Sequence, residues 1–168
     1  MQINITELSS QYAVRRLTAD DVELIYGLSI ENPLFYQYCP PFVTRESILE
    51  DMKALPPRTT CADKFYIGFF RDEKLIAIMD LILHYPNGQT AFIGLFMMSR
   101  AEQGKGIGSK IIEEGVCYLK GCGFHSVRLA FAKGNPQSEA FWTKNGFAKT
   151  GTEHDNGGYI AVSMQRIL

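Results

Sequence analysis

A glycine-rich polar run, RAEQGKGIGSK at 100–110, has the composition of a loop that binds an anion. It follows the apolar run AFIGLFMM (91–98) and precedes a segment whose apolar residues recur at helical spacing, which indicates a strand, a turn and a helix. Such a turn leaves backbone N–H groups free at a helix N-terminus, where they stabilise an anion such as pyrophosphate. The glycines between 104 and 108 let the backbone approach a phosphate closely, and Lys105 adds a positive charge. The segment therefore predicts nucleotide binding.

The spacing of the glycines distinguishes among the known phosphate-binding loops. A dinucleotide fingerprint G-x-G-x-x-G starting at Gly104 requires glycine where Ser109 stands, and no register of GKGIGSK satisfies the Walker A pattern. The pattern Q-x-x-G-x-G does fit, with Gln103, Gly106 and Gly108 after an apolar strand. This combination resembles the acyl-coenzyme A loop of the GNAT-type N-acetyltransferase superfamily.

A second segment, NPQSEAFWTKNGF at 135–147, is similar to a later helix of the same superfamily, which opens with asparagine and closes with Gly-Phe. The positions that match are Asn135, Ser138, Phe141, Gly146 and Phe147. The two matches cover residues 90–150, with FHSVRLAFA (124–132) as a strand between two helices. The alternative interpretation is an ordinary glycine turn and an ordinary core helix.

The resemblance implies acetyl-CoA as co-substrate, without a metal. It assigns cofactor binding to Phe96, Met98, Gln103, Gly104, Lys105, Gly106, Ile107, Gly108, Ser109, Asn135, Ser138 and Trp142. Backbone amides near Phe96 and Met98 would pair with the pantetheine arm, and Asn135 would also serve that arm. The alternative is purely structural, with Phe96 and Met98 in the core and Asn135 as a helix cap before Pro136.

Composition indicates one globular domain, residues 1–168. Hydrophobic residues make up 46% of the chain, the mean hydropathy is -0.07, and no apolar run is long enough to span a membrane. The N-terminal residues MQINITELSS lack a basic region followed by an apolar block, so we expect no secretory signal. These features predict a cytoplasmic protein without a membrane partner.

Charge and cysteine spacing exclude two further classes. The net charge is -1 and the 17 basic residues are scattered, whereas a nucleic-acid-binding protein needs a concentrated basic face. The four cysteines form no C-x-x-C pair and the three histidines are far apart, so we expect no zinc site.

Read along the chain, the pattern predicts the order β-α-α-β-β-β-α-β-α-β-β, a mixed α/β arrangement. It begins with a strand at 12–18, continues through a three-stranded meander at 64–98, and ends with a hairpin turning at 156–158. The resemblance implies the GNAT (acyl-CoA N-acyltransferase) fold, a largely antiparallel sheet with splayed central strands and helices on both faces.

The segment NPLFYQYCPPF at 32–42 holds three prolines and cannot be regular helix throughout. One interpretation is a surface loop pinned to the core by its aromatic rings. The other, which the resemblance favours, is a wall of the acceptor pocket shaped by Phe35, Tyr36 and Tyr38. The two interpretations are compatible.

Asp80 is the candidate general base because it stands inside the apolar run IAIMDLIL, where burial would raise its pKa. The alternative is an outward-facing or hydrogen-bonded structural acid. His84 is a second candidate, as base or acceptor-binding residue, followed by Glu31 and the loop tyrosines. A base acting through ordered water remains a further alternative.

The residue that usually serves as general acid in this superfamily is absent. Many members of the superfamily place a tyrosine four residues before the Gly-Phe pair, whereas this chain has Trp142. An indole N–H donates a hydrogen bond but has no useful acidity. The departing thiolate would then be stabilised without protonation, or be protonated by water or a more distant tyrosine.

These observations predict an acetyl-CoA-dependent N-acetyltransferase that acts on a primary amine of a small molecule by direct transfer. One alternative is a regulatory or degenerate acyl-CoA-binding module without turnover, which Trp142 favours. Another is an acetyltransferase for protein N-termini or lysines, which needs an open acceptor groove. The sequence leaves the acceptor and the oligomeric state, including a homodimer, open.

Overall fold

A computed structural model describes residues 3–168 as one seven-stranded sheet with five α-helices. The strands are β1 (Ala13–Arg16), β2 (Lys64–Arg71), β3 (Lys74–Ile82), β4 (Thr90–Met98), β5 (Ser126–Ala132), β6 (Ala148–Asp155) and β7 (Ile160–Ile167). The helices are α1 (Val22–Ile30), α2 (Pro33–Tyr38), α3 (Arg45–Lys53), α4 (Ile107–Gly121) and α5 (Pro136–Lys144). The sheet order is β1-β2-β3-β4-β5-β7-β6, and only the β4–β5 pair is parallel.

The central strands are apolar along their whole length because helices cover both faces of the sheet. On one face, α4 packs its Ile111, Ile112 and Leu119 against the strands. On the other face, Ile25 of α1 and Ile48 of α3 enclose a second apolar cluster. The expected fold class, with helices on both faces, is therefore confirmed.

Two helices begin where the sequence supplies a cap. Thr44 accepts a hydrogen bond from the N–H of Ser47 at the start of α3, and the Ser47 hydroxyl lies 2.9 Å from the Thr44 nitrogen in return. Asn135 caps α5 through its Oδ1 atom, which accepts from the N–H groups of Gln137 and Ser138. Each cap satisfies N–H groups that the helix itself leaves unpaired.

The predicted element order is correct except in the aromatic segment at 32–42, where α2 adds a short helix. Pro33 permits this helix because a proline is tolerated in the first turn, and the later prolines confine it to six residues. The first strand is also shorter than the predicted 12–18, since only residues 13–16 pair with β2. Among residues 3–168, no helix has the length and apolar character needed to cross a bilayer.

The parallel strands β4 and β5 separate part-way along their length. They pair only over Thr90–Ile93 and Ser126–Leu129, after which β4 continues beside β3 and β5 continues beside β7. The divergence begins at a β-bulge: Leu81 pairs with Ile93 and Asp80 with Leu95, which leaves Gly94 without a partner. A bulge bends its strand and increases the local twist, so β4 turns away from β5 at this point.

We predict that Gly94→Ala destabilises the fold. A Cβ at this position would lie 2.9 Å from Oδ2 of Asp80, so the bulge or the Asp80 side chain must shift. Overpacking of this kind typically costs about 1–3 kcal/mol. Thermal unfolding measures the loss, with Gly88→Ala as the control because a Cβ there meets no atom within 4 Å. Equal midpoints for the two variants would contradict a tightly packed bulge.

Candidate active site

The glycine loop forms one side of a cleft of about 280 Å³ between α4 and α5, called the glycine cleft below. Gly104 and Gly106 have φ values of 74° and 77°, a left-handed conformation that side chains rarely adopt. A Cβ at either position would meet no atom within 4 Å, and both residues line the cleft. The first turn of α4 starts directly after Gly106. The loop therefore offers backbone N–H groups and open space to an anion, as a phosphate cradle requires.

Gly108 has a different role from the other two glycines. A Cβ there would approach the Phe141 ring of α5 to 3.3 Å, so this glycine allows the two helices to pack closely. The contact is supported by Asn145, whose amide donates to the Ser109 hydroxyl at 3.2 Å. Gly108 thus fixes the position of α5 relative to the cradle.

Side chains around the cradle tie it to β4. The Gln103 amide donates to the Met98 carbonyl at 3.1 Å and to Oδ1 of Asn32 at 2.7 Å. Lys105 is more than half exposed, lies 3.8 Å from the Glu102 carboxylate and is not among the lining residues. Glu102 is also paired with Arg71, whose guanidinium lowers the pKa of that carboxyl. Gln103 therefore positions the loop, while the Lys105 charge is partly neutralised.

The opposite wall of the glycine cleft belongs to α5. Asn135 is 3% exposed, and its Oδ1 atom accepts the hydrogen bonds of the helix cap. The cap does not use the Nδ2 donor of the same side chain. Trp142 is 7% exposed and packs edge-on against Phe141 and Phe147 at centroid distances of 4.9 and 5.2 Å. The Phe96 ring stacks on Phe141 at 5.9 Å. Trp142 is thus a core residue whose surface also forms part of the cleft wall.

The separation of β4 from β5 opens a second space of about 250 Å³, the strand gap, between residues 92–96 and 129–132. Residues of the glycine cleft also line this gap: Phe35, Phe96, Asn135, Ser138 and Trp142. On its other side the gap shares Phe35, Cys39, Gly94, Leu95, Asn156 and Tyr159 with a third space. The strand gap therefore joins two larger sites.

The third space, the aromatic cavity, has a volume of about 720 Å³ and lies among α2, α3 and the β3–β4 pair. Its size is in the range of cavities that enclose small organic ligands. The rings of Phe35, Tyr36, Tyr66 and Tyr159 form much of its wall. Burial raises the pKa of the Tyr36, Tyr66 and Tyr159 phenols, so all three are protonated at neutral pH.

Asp80 lies at the wall of the aromatic cavity, but it is not the lone acid that its apolar strand indicates. Its Oδ2 atom accepts a hydrogen bond from the Lys64 ammonium at 2.8 Å, and both side chains are nearly enclosed. Its Oδ1 atom is enclosed and has no hydrogen-bond partner among residues 3–168. Burial raises the pKa of the Asp80 carboxyl, and the hydrogen bond and charge of Lys64 oppose that rise.

The structure assembles most of the predicted site residues but not all of them. Phe35 and Tyr36 line the aromatic cavity, whereas Tyr38 does not. His84 lines none of the three spaces; its Nδ1 atom lies 2.9 Å from the Asp63 carboxylate and its ring packs on Phe124. Glu31 accepts from the backbone N–H of Arg100 at 3.3 Å, outside the cavity lining.

Four residues of the aromatic cavity have no sequence motif that would have revealed them. Asp51 follows Glu50 in α3, and Lys64 follows Asp63 at the start of β2, so neither stands out from its charged neighbour. Tyr66 is one of many aromatic residues in β2, and Tyr159 follows the hairpin turn. The one available signal is Gly94, because an isolated glycine in an apolar strand indicates a bulge or a close approach.

Comparisons with known proteins decide the family. A profile of the acetyltransferase (GNAT) family matches residues 30–147, which is more than half of the chain. The chain belongs to the GNAT acetyltransferase family. No curated protein matches the chain significantly in sequence.

Solved GNAT structures share the fold at low sequence identity. An acetyltransferase from Thermus thermophilus has a TM-score of 0.75 and 21% identity, covering 94% of this chain and 97% of its own. The PaiA N-acetyltransferase of Thermoplasma acidophilum, solved in complex with coenzyme A, has a TM-score of 0.68 and 20% identity, covering 94% of this chain and 99% of its own. A chimera of the Vibrio cholerae spermidine N-acetyltransferase SpeG has a TM-score of 0.69 and 21% identity, covering 94% of this chain and 96% of its own. These identities establish a common fold and leave the acceptor of this GNAT protein open.

We predict that Gly106→Val weakens acetyl-CoA binding far more than Lys105→Ala. The valine side chain would enter the open cradle, whereas Lys105 supplies a solvated charge that already faces Glu102. Isothermal titration with acetyl-CoA measures both affinities.

Gly151→Val is the control for backbone strain, since Gly151 has a φ of 88° and open surroundings but lies in β6, outside the cleft. It should lose stability but keep the wild-type affinity. Equal, small losses of affinity in the Gly106 and Lys105 variants would show that the cradle does not hold the cofactor.

Proposed function

We propose that this GNAT protein is an acetyl-CoA-dependent N-acetyltransferase that acetylates a primary amine of a small molecule by direct transfer between two bound substrates. The observation that supports this most strongly is the continuity of the three spaces. The glycine cleft and the aromatic cavity both share lining residues with the strand gap, including Phe96 on one side and Leu95 on the other. Two ligands, one in each space, would therefore meet between the strands.

The residues of the glycine cleft fit coenzyme A. Backbone N–H groups at Gly104 and Gly106 suit the pyrophosphate, and the free edge of β4 beyond Ile93 suits the amide groups of a pantetheine arm. Asn135 offers its Nδ2 donor at the start of α5, beside the gap. When bound, acetyl-CoA supplies an activated thioester carbonyl, which is an acyl group that an amine nitrogen attacks.

The aromatic cavity supplies the acceptor side. An amine reacts only as the neutral base, so a group in this cavity must take a proton from the incoming ammonium. We assign that role to Asp80, directly or through one water. Structural acids are normally hydrogen-bonded through both oxygens, and the unpaired Oδ1 of Asp80 is costly unless it serves a substrate. The raised pKa of Asp80 brings the carboxyl closer to the range of an effective base.

We predict that removing the Asp80 charge lowers turnover, and that a double variant separates this loss from folding. Asp80→Asn leaves the enclosed Lys64 ammonium without its counter-charge, which typically costs about 3–5 kcal/mol of stability. Asp80→Asn combined with Lys64→Met removes both charges and should restore the unfolding temperature. Its kcat should still fall by about 10²–10⁴-fold, the usual contribution of a general base. A stable double variant with nearly wild-type kcat would eliminate Asp80 as the base.

Tyr159 is our candidate proton donor for the departing sulfur, in place of the tyrosine that Trp142 replaces. Six residues line both the strand gap and the aromatic cavity, and only Tyr159 and Cys39 among them carry an ionisable proton. The Tyr159 phenol accepts a hydrogen bond from the Asn156 amide at 2.9 Å, which orients its oxygen. Burial raises the pKa of both Tyr159 and Cys39, so both hold their protons at neutral pH.

We predict that Tyr159→Phe lowers kcat by about a hundredfold, the lower end of a general acid's contribution, with the acetyl-CoA affinity unchanged. Cys39→Ala is the control and should keep turnover within a few-fold. Adding Trp142→Tyr to the Tyr159→Phe variant places a phenol at the usual position and should recover part of the loss. Steady-state kinetics would exclude Tyr159 if Tyr159→Phe turned over at the wild-type rate.

The experiment that tests the function itself is thiol release from acetyl-CoA across a panel of small amines, with mass spectrometry of the acetylated product. Amine-dependent release with matching product supports an N-acetyltransferase for small molecules. Acetyl-CoA binding without release for any amine or peptide would support a binding module instead. Release only with peptides would support a protein acetyltransferase.

A further inference from the structure

The aromatic cavity carries one carboxylate without a counter-charge. Among residues 3–168, its charged lining residues are Asp51, Asp80 and Lys64. Lys64 is bound to Asp80 at 2.8 Å, whereas Asp51 makes no ion pair with any of residues 3–168. Pairing Lys64 with Asp80 therefore leaves Asp51 as the unbalanced charge in the cavity.

Asp51 of α3 and Asp80 of β3 line the same cavity although they belong to different elements. Asp51 is exposed to solvent; partial desolvation is the main reason that the pKa of its carboxyl is raised, the Asp80 charge raises it further, and the Lys64 charge opposes the rise. The negative charge of Asp80 thus disfavours the ionised form of Asp51. Asp80, in turn, is 9% exposed and keeps its Oδ1 atom unpaired. A positively charged ligand would relieve the repulsion and satisfy oxygens that the protein leaves free.

The same charges disfavour an acceptor that carries a carboxylate or a phosphate. An arginine or a free lysine commonly holds such a group, and the one cation among the described lining residues, Lys64, is committed to Asp80. An anion placed near Asp51 would be repelled and would lose its hydration without a partner. Amino acids and nucleotides are therefore poor candidates.

The walls of the cavity suit a short alkyl chain that ends in a cation. The rings of Phe35, Tyr36, Tyr66 and Tyr159 present apolar surface, and the faces of aromatic rings attract ammonium groups. The phenols of the three tyrosines are protonated, so they add no competing charge. A volume of about 720 Å³ leaves ample room for such a chain beside the strand gap.

We propose that the acceptor is a small diamine: one amino group receives the acetyl group at the strand gap, and the second, protonated amino group binds the Asp51 carboxylate. This proposal rests on the function proposed above and adds the acceptor class and its specificity residue. The reacting nitrogen forms a bond to the acetyl carbon as the carbon–sulfur bond breaks. The base takes the first proton of this nitrogen before attack. The sulfur leaves with the bonding electron pair and is protonated by Tyr159, which then takes the second proton of the nitrogen, so the acetylated product keeps the one positive charge of its second amino group.

The test compares three probes of similar length: 1,5-diaminopentane, n-pentylamine and 5-aminopentanoate. At the end opposite the reacting amine, the first carries a cation, the second no charge and the third an anion. The diamine should exceed pentylamine in kcat/KM by about tenfold, the worth of one charged hydrogen bond in a partly buried site, and aminopentanoate should be the poorest. Pentylamine equal to the diamine, or aminopentanoate preferred, would overturn the proposal.

Asp51→Asn assigns the preference to its residue. The ratio of the diamine and pentylamine kcat/KM values should fall toward one in this variant. Glu50→Gln is the matched control, because it removes the adjacent exposed carboxylate of α3, which lies outside the cavity lining, and it should keep the wild-type ratio. An unchanged ratio in Asp51→Asn, or an equal fall in Glu50→Gln, would reject Asp51 as the specificity residue.

Binding measurements distinguish failure of this proposal from failure of the proposed function. Acetylation of pentylamine without preference for the diamine would support the transferase and reject the diamine. If none of the three probes were acetylated, titration of the same probes into coenzyme A-loaded protein would still test whether the site prefers a diamine. Preferential binding of the diamine that Asp51→Asn abolishes would support the acceptor class without turnover, and equal or absent binding of the three probes would reject it.

Discussion

The separation of β4 from β5 is the constraint on which the rest of the molecule depends. Two parallel strands in the middle of a sheet ordinarily pair along their length, since each unpaired backbone group in a dry interior costs free energy. Here pairing stops at Ile93 and Leu129, and the bulge at Gly94 turns the strand edge into a gap. The backbone groups beyond that point are left for a ligand with amide groups of its own. The glycine cleft and the aromatic cavity face each other only because this gap exists.

The two faces of the sheet then divide the chemistry. Helices α4 and α5 form most of the glycine cleft together with the C-terminal end of β4, and the Gly108–Phe141 contact and Asn145 hold the two helices together. Helices α2 and α3 and the start of β2 form most of the aromatic cavity, and Tyr159 completes its wall. Backbone donors and apolar rings dominate the first site, and carboxylates with phenols dominate the second. The proposed roles of donor and acceptor site follow from this difference in chemistry.

Most of the fold was predictable because its signals are local. The strand expected at 91–98 and the helix expected within 135–147 are observed as β4 and α5, and the left-handed glycines at 104 and 106 follow from the need for a tight turn before a helix. The acceptor site was less predictable because its charges meet only after folding. Asp80 was recognised as an acid in an apolar strand, but its partner Lys64 lies on the neighbouring strand in a register that no motif encodes. Asp51 carries no sequence signal of its own, and His84, a candidate base or acceptor-binding residue, contacts Asp63 and Phe124 instead of the cavity.

The measurement that tests this account most directly is a crystal structure of the protein with coenzyme A. The pyrophosphate should lie on the 103–109 loop, and the pantetheine arm should enter the gap between Gly94–Phe96 and Leu129–Ala132. The sulfur should then lie at the boundary with the aromatic cavity, near Tyr159. A cofactor whose arm runs outside the gap, or whose sulfur is separated from the aromatic cavity by closed strands, would contradict the central claim that the gap is where the two substrates meet.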